Sequence, residues 1–183
     1  MGPEWNMQQS MTVLNRTIRW QGHGIEYEPD QRHAELIIES MGVSSGKGVS
    51  TPVVADSLQD PASRMHSAEL CSTEASRYRA VAARLNYLAQ DRFELQFAAK
   101  VASKNMSCPR EVDWQTLKRV AMYLVQCPRS VQTFEWQLTG NAIVTHTDRD
   151  WAGDKQDRKS TSGGTMSLGA HTIKTWSSPH SIA

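Results

Sequence analysis

The sequence predicts an α+β chain: a β-hairpin with one helix, then three helices, then an antiparallel sheet. Three observations predict it. Residues 13–27 have strand-like composition interrupted by the turn Gln21-Gly22-His23-Gly24. Between Tyr78 and Leu124 apolar residues recur at helical spacing. From Phe134 onward a period of two takes over, with Phe134, Trp136 and Leu138 alternating.

Taken in order, residues 1–10 read as a polar leader without pattern. Val13 to Trp20 reads as a strand, and Ile25-Glu26-Tyr27 as its return. Pro29 and Asp30 open a helix with Ala34, Ile37, Ile38 and Met41 on one face, and Gly42 caps its end. Residues 53–72 are rich in Ser, Asp, Gln and Pro with weak periodicity and read as a linker. The first of the three helices presents Tyr78, Val81, Ala82, Leu85 and Leu88. The second presents a stripe of Phe93, Phe97 and Val101, backed by Ala98 and Ala102. The third opens at Pro109 and Glu111 and presents Trp114, Leu117, Val120, Ala121 and Leu124. After the alternating strand, Thr139-Gly140-Asn141 makes a turn into a partner strand, Ile143 to Thr147. Thr165 to Leu168 and His171 to Trp176 form a hairpin across Gly169-Ala170. No helix follows to cover this sheet, so a face or edge of it is expected to be bare.

A chain of 183 residues holds one ordinary domain or two small ones. Its net charge is +1, but the charge is unevenly placed. Residues 1–73 carry five Lys or Arg against nine Asp or Glu, residues 74–129 ten against five, and residues 130–183 five against five. The middle third is therefore the candidate for a surface facing a polyanion, with solvated helix faces as the plainer reading. Three cysteines, Cys71, Cys108 and Cys127, show no C-x-x-C spacing, which argues against a disulfide framework, a disulfide-linked partner or a structural zinc site. No apolar run reaches membrane-spanning length and no secretory pattern is visible. An intracellular place, in cytoplasm or nucleus and away from membranes, is expected.

The densest chemistry lies in Thr145 to Gly164, THTDRDWAGDKQDRKSTSGG, where a strand runs into Asp148 and then a charged loop. An acid at the end of a buried strand needs a metal or basic partners. Asp148-Arg149-Asp150-Trp151-Ala152-Gly153 and Asp157-Arg158-Lys159-Ser160-Thr161-Ser162-Gly163-Gly164 resemble the start of the ribonuclease H domain of copia-type retrotransposon polyproteins. The block from Gly22 to Pro52, with its exit Val49-Ser50-Thr51-Pro52, resembles the last part of that family's reverse transcriptase palm. Asn86 to Arg92, with Trp114 to Arg119, resembles the helical region between the two, although the family has Pro where this chain has Phe93. The resemblance implies a palm tail over 11–52, the linker over 53–72, a helical thumb or connection over 73–128, and an incomplete ribonuclease H-like antiparallel sheet over 130–183.

It also implies roles. Asp148 would be the catalytic aspartate and a ligand of the magnesium ions the family uses. The partner would be an RNA–DNA hybrid or duplex, with Arg77, Arg84, Lys118 and Arg119 lining its track. Arg158 and Lys159, with Ser160 and Thr161, suit phosphate oxygens, and turn chemistry before Gly163-Gly164 is an equal rival. No Tyr-x-Asp-Asp pair precedes Val13, and the chain stops short of the Glu expected to join Asp148. Asp150, Asp154 and Asp157 read as solvated charges paired with neighbouring Arg and Lys. A calcium loop fails because Lys159 stands where the bidentate Glu must be. The expectation is a segment of a reverse transcriptase and ribonuclease H polyprotein that is inactive alone and binds no magnesium tightly. The alternative is a non-catalytic nucleic-acid-binding module.

Overall fold

A computed structural model describes residues 9–44, 46–53, 61–138, 142–151, 153 and 158–180. Among them the chain forms two antiparallel sheets and five α-helices. The first sheet has the order β1 (Ser10–Val13), β2 (Arg16–Gln21), β3 (Gly24–Glu28) and β4 (Gln132–Glu135). The second has the order β5 (Ile143–Arg149), β6 (Ser160–Leu168) and β7 (His171–His180). The helices are α1 (Gln31–Met41), α2 (Pro61–His66), α3 (Ser72–Leu88), α4 (Gln96–Lys104) and α5 (Trp114–Gln126).

The helices make the core. Asp30 caps α1, its Oδ1 accepting the Arg32 N–H at 2.9 Å, and Gly42 closes the other end in the left-handed conformation. Ala34 and Ile37 of α1, the expected face of α3, and Leu117, Val120, Ala121 and Leu124 of α5 are buried together. Tyr78 stands at their centre with no exposed surface. Its hydroxyl donates to the Ala102 carbonyl of α4 at 2.8 Å, and its ring meets Trp114 edge-on at 5.3 Å. Burial first, and the charge of Asp113 second, push that hydroxyl well above its ordinary pKa, so it stays a donor at any physiological pH.

Four local expectations change. The strand expected over 13–20 is two strands, because Leu14 and Asn15 take φ of 50° and 62° and turn the chain between β1 and β2. In the second helix the aromatic stripe is not the inward one. Phe97 is exposed, while Leu95, Ala98, Ala99 and Ala102 are buried. Small residues let α4 approach α3 closely enough for the Tyr78 hydrogen bond. Within the stretch read as a linker, residues 61–66 are helical; residues 54–60 lie outside the described set. The strand of Phe134 does not pair with β5. It joins β3, with Gly24 opposite Glu135 and Tyr27 opposite Gln132. Gly24 permits this approach, since a Cβ there would meet the Glu135 Cα at 2.8 Å. Trp136 and Leu138 lie beyond the strand and are exposed, and the turn expected at 139–141 lies outside the described residues.

Charged groups tie the first sheet to the helices. Asp91, in the turn after α3, accepts from Arg16 Nε and from the Tyr27 hydroxyl, both at 2.7 Å. Burial and that bond push the Tyr27 hydroxyl up to about 12. Glu28 is buried and takes Arg129 on both carboxylate oxygens at 2.6 and 2.8 Å, with Arg19 at 2.7 Å. The Arg129 guanidinium, helped by Arg19, holds the Glu28 carboxyl below the usual range. Arg92, also buried, donates to the Cys127 and Pro128 carbonyls and to Glu94.

A further buried carboxylate pins α2. Asp113 is fully buried and accepts from Arg64 Nε at 3.1 Å, Arg64 Nη2 at 3.3 Å, Asn105 Nδ2 at 2.8 Å and the Arg110 N–H at 2.7 Å. Every lone pair direction of a buried acid is thus used. Asp113→Ala removes the counter-charge of the half-buried Arg64 guanidinium and the acceptor of the Asn105 amide, and is expected to cost about 3 kcal/mol in urea unfolding. A loss within error of zero would show that Arg64 and Asn105 find water instead.

Candidate nucleic-acid interface

Asp148 sits near the end of β5, as the sequence predicts, but β5 is not a buried strand. It is the edge of its sheet, and all seven of its residues are exposed. The other face and edge that would bury it have no covering element among the described residues. The register sets Asp148 opposite Gly163, which in turn faces Ser177. Beside that row Gly164 lies under the Trp176 indole, where a Cβ would collide with the ring. Gly164 therefore serves strand packing here. The Asp148 Oδ1 accepts the N–H of Arg149, its own neighbour, at 2.8 Å. Asp150 is used by the ladder: its Oδ1 accepts the Thr161 N–H at 2.6 Å, and its N–H donates to the Thr161 carbonyl at 3.0 Å. Asp154, Lys155 and Asp157 lie outside the described residues.

Magnesium hydrolysis by a metal pair needs several carboxylates around ions about 4 Å apart. Among the described residues no three His, Cys, Asp or Glu side chains converge. Asp148, exposed and turned onto its own backbone, is a single donor, and the described set does not fit a magnesium pair.

The six basic residues singled out by sequence fall into two groups. Arg77 donates to the Ser40 carbonyl of α1 at 2.5 Å and lies 5.5 Å from the Trp114 ring centre. Arg84, two turns along α3 on the same side, is half-exposed. Lys118 is exposed on α5, and Arg119 donates to the Thr51 hydroxyl at 2.9 Å. Arg77 and Arg119 thus brace segments against the helices. Arg158 is exposed with φ of 59°, and Lys159 is exposed beside it.

Lys159 belongs to a different place. A cleft of about 630 Å³ runs between the end of α3, α4 and the β6–β7 hairpin. Asn86 lines it from α3, roughly half a helical turn away from Arg77 and Arg84, and Gln90 from the turn that follows. Lys100 and Lys104 line it from α4, Thr161 from β6 and Lys159 from the residue just before that strand. Lys100 Nζ donates to the Thr161 hydroxyl at 2.5 Å, and Gln96 Nε2 to the Thr175 carbonyl at 3.3 Å. Three ammonium groups beside hydroxyls and amides make a wall suited to phosphodiester oxygens. The sequence reading missed Lys100 and Lys104. Their i,i+4 spacing was a visible signal, but only the tertiary fold brings Lys159 to them.

The position of Asp148 gives a direct test. Asp148→Asn is expected to leave the urea midpoint of the chain unchanged. A clear fall would mean that the carboxylate is engaged by more than its own backbone.

Comparison with known proteins supplies the family. The chain is 38% identical over 108 residues to the retrovirus-related Pol polyprotein from transposon RE1 of Arabidopsis thaliana, covering 58% of this chain and 7% of that protein. It is 32% identical over 150 residues to the corresponding polyprotein from transposon RE2 of the same plant, covering 81% of this chain and 10% of that protein. It is 41% identical over 87 residues to the secreted RxLR effector protein 161 of Plasmopara viticola, covering 46% of this chain and 58% of that protein. No family model and no solved structure matches. The chain spans a tenth or less of the two polyproteins it matches. With the copia-type motifs it carries, it belongs to the retrovirus-related Pol polyproteins of copia-type retrotransposons and corresponds to a segment of one.

Proposed function

We propose that this segment holds the tail of the reverse transcriptase palm, a helical connection, and the opening strands of the ribonuclease H domain. Its role is to contact nucleic acid; by itself it neither synthesises DNA nor cuts RNA. RNA-templated synthesis and hybrid hydrolysis belong to the whole polyprotein in this reading.

The observation that carries it is the meeting of Lys159 with Lys100 and Lys104 across one cleft. Lys159 follows the charged loop after Asp148, and the two α4 lysines come from the helical region. A backbone lying in that cleft would touch both parts of the chain at once. Phosphate contacts of this kind position a duplex without reading its sequence. Inactivity is supported by the environment of Asp148, whose oxygen is held by its own neighbour and whose strand is exposed throughout.

Fluorescence anisotropy with a labelled RNA–DNA hybrid tests the binding. Affinity is expected to fall steeply with salt. The triple variant Lys100→Ala, Lys104→Ala, Lys159→Ala is expected to lower the slope of log K against log salt by about 2 to 3. Arg77→Ala is expected to leave that slope nearly unchanged. An unchanged slope in the triple variant would remove the cleft from the reading. Magnesium-dependent cleavage of the hybrid, lost in Asp148→Asn, would overturn the claim of inactivity.

A further inference from the structure

The segment from Arg64 to Cys71 lies along residues 108–112, and two distant cysteines stand two residues beyond its one bridge. Glu69 and Arg110 form an antiparallel bridge. On either side of it, the Leu70 N–H donates to the Pro109 carbonyl at 3.0 Å and the Glu111 N–H to the Ala68 carbonyl at 3.0 Å. That pattern makes Glu69 and Arg110 a non-hydrogen-bonded pair, whose Cα atoms stand about 4.5 Å apart in such ladders. Their side chains meet on one side, with Arg110 Nη2 3.0 Å from Glu69 Oε1.

Continued by two residues, this register sets Cys71 opposite Cys108 as the next pair of the same kind. Side chains alternate with period two, so both cysteines lie on the side of Glu69 and Arg110. Leu70 packs against the core and Pro109 is buried, while Cys71 and Cys108 are both exposed and free thiols. The ladder ends there for a plain reason: Pro109 has no N–H to give back. Cys71 keeps an extended backbone, with φ of −61° and ψ of 164°. The loop bearing Cys108 is held from two sides. Arg64 donates to the Cys108 carbonyl at 2.9 Å, and Arg79 to the Met106 and Ser107 carbonyls at 2.7 and 3.3 Å.

We propose that Cys71 and Cys108 are a redox pair, closing to a disulfide that clamps the start of α3 to the turn before α5. The separation expected of a non-hydrogen-bonded pair falls within the span of Cα distances a disulfide bridges. The oxidant is a low-molecular-weight disulfide such as oxidised glutathione. One cysteine thiolate attacks it, forming a mixed disulfide and releasing one glutathione thiol. The second cysteine attacks the protein sulfur of that mixed disulfide and releases the other thiol. Two protein thiols become one disulfide, and one glutathione disulfide becomes two thiols. The bond encloses α3 and α4, so opening of the 64–71 segment away from α5 is suppressed in the oxidised chain.

The test is titration of the reduced full chain with oxidised glutathione, read by intact mass, peptide mapping and thermal melting. The expected product is lighter by two hydrogens, carries no glutathione, has Cys127 as its remaining thiol, and melts about 8 °C higher than the reduced chain. Cys127→Ser is expected to give the same cross-link. Cys71→Ser is expected to accumulate a stable glutathione adduct on Cys108, with an unchanged melting point under reducing conditions. Persistent adducts on both cysteines of the unmodified chain, a cross-link to Cys127, a dimer, or no reaction would each overturn the proposal.

Discussion

The Tyr78 hydroxyl on the Ala102 carbonyl is the contact from which the rest of the fold can be laid out. It lies in a water-free core, where an unmade hydrogen bond is expensive, so it fixes the distance and register of α3 against α4. Ala98, Ala99 and Ala102 are buried on the face of α4 that carries this contact. The opposite edge of the ring meets Trp114, which sets α5 against the same helix. α1 closes the bundle through Ile37 and Ala34. Once these four helices are placed, every other element is attached from outside.

The two sheets are attached differently. The first is bound by charge. Asp91, after α3, gathers partners from β2 and β3, Glu28 of β3 gathers Arg19 and Arg129, and Arg92 reaches the chain as it leaves α5. These pairs are partly or wholly removed from solvent, where breaking one is costly. The second sheet is held by hydrogen bonds, one of them from the Lys100 ammonium. Gln96 and Lys100 touch β6 and β7, while Gln137 and His171 bridge to the end of β4. β5 is the strand of that sheet with least support, and Asp148 rides on it. The residue with most chemical meaning in the sequence thus occupies an exposed edge strand.

What was legible in the sequence was what local physics decides. Asp30 and Gly42 bounded α1, and the apolar spacing of α3 and α5 gave their buried faces. The turn at Gly169-Ala170 was readable from its glycine, which has φ of 59°. What was missed depended on partners far along the chain. Leu14 carries no turn signal of its own, and Asn15 is fixed by a hydrogen bond to Asp30. Phe97 looked like the inward residue of its helix until the alanines of α4 were matched to Tyr78. The 61–66 helix has weak periodicity because Asp113, rather than an apolar face, holds it. The exposure of β5 and the gathering of Lys100, Lys104 and Lys159 follow from sheet order and helix placement, which periodicity does not encode. The register of Cys71 with Cys108 was hidden for the same reason.

The segment has a helical body, a lysine-lined cleft and a three-stranded sheet beside it. Native-state hydrogen exchange tests that division most directly. Amides of Val81, Leu85, Val120 and Leu124 are expected to exchange only through global unfolding. The β5 amides bonded to β6 are expected to exchange at least about a hundredfold faster, through local opening. Protection of β5 equal to that of α3 and α5 would contradict the account, because Asp148 would then stand on a strand as firmly built as the core.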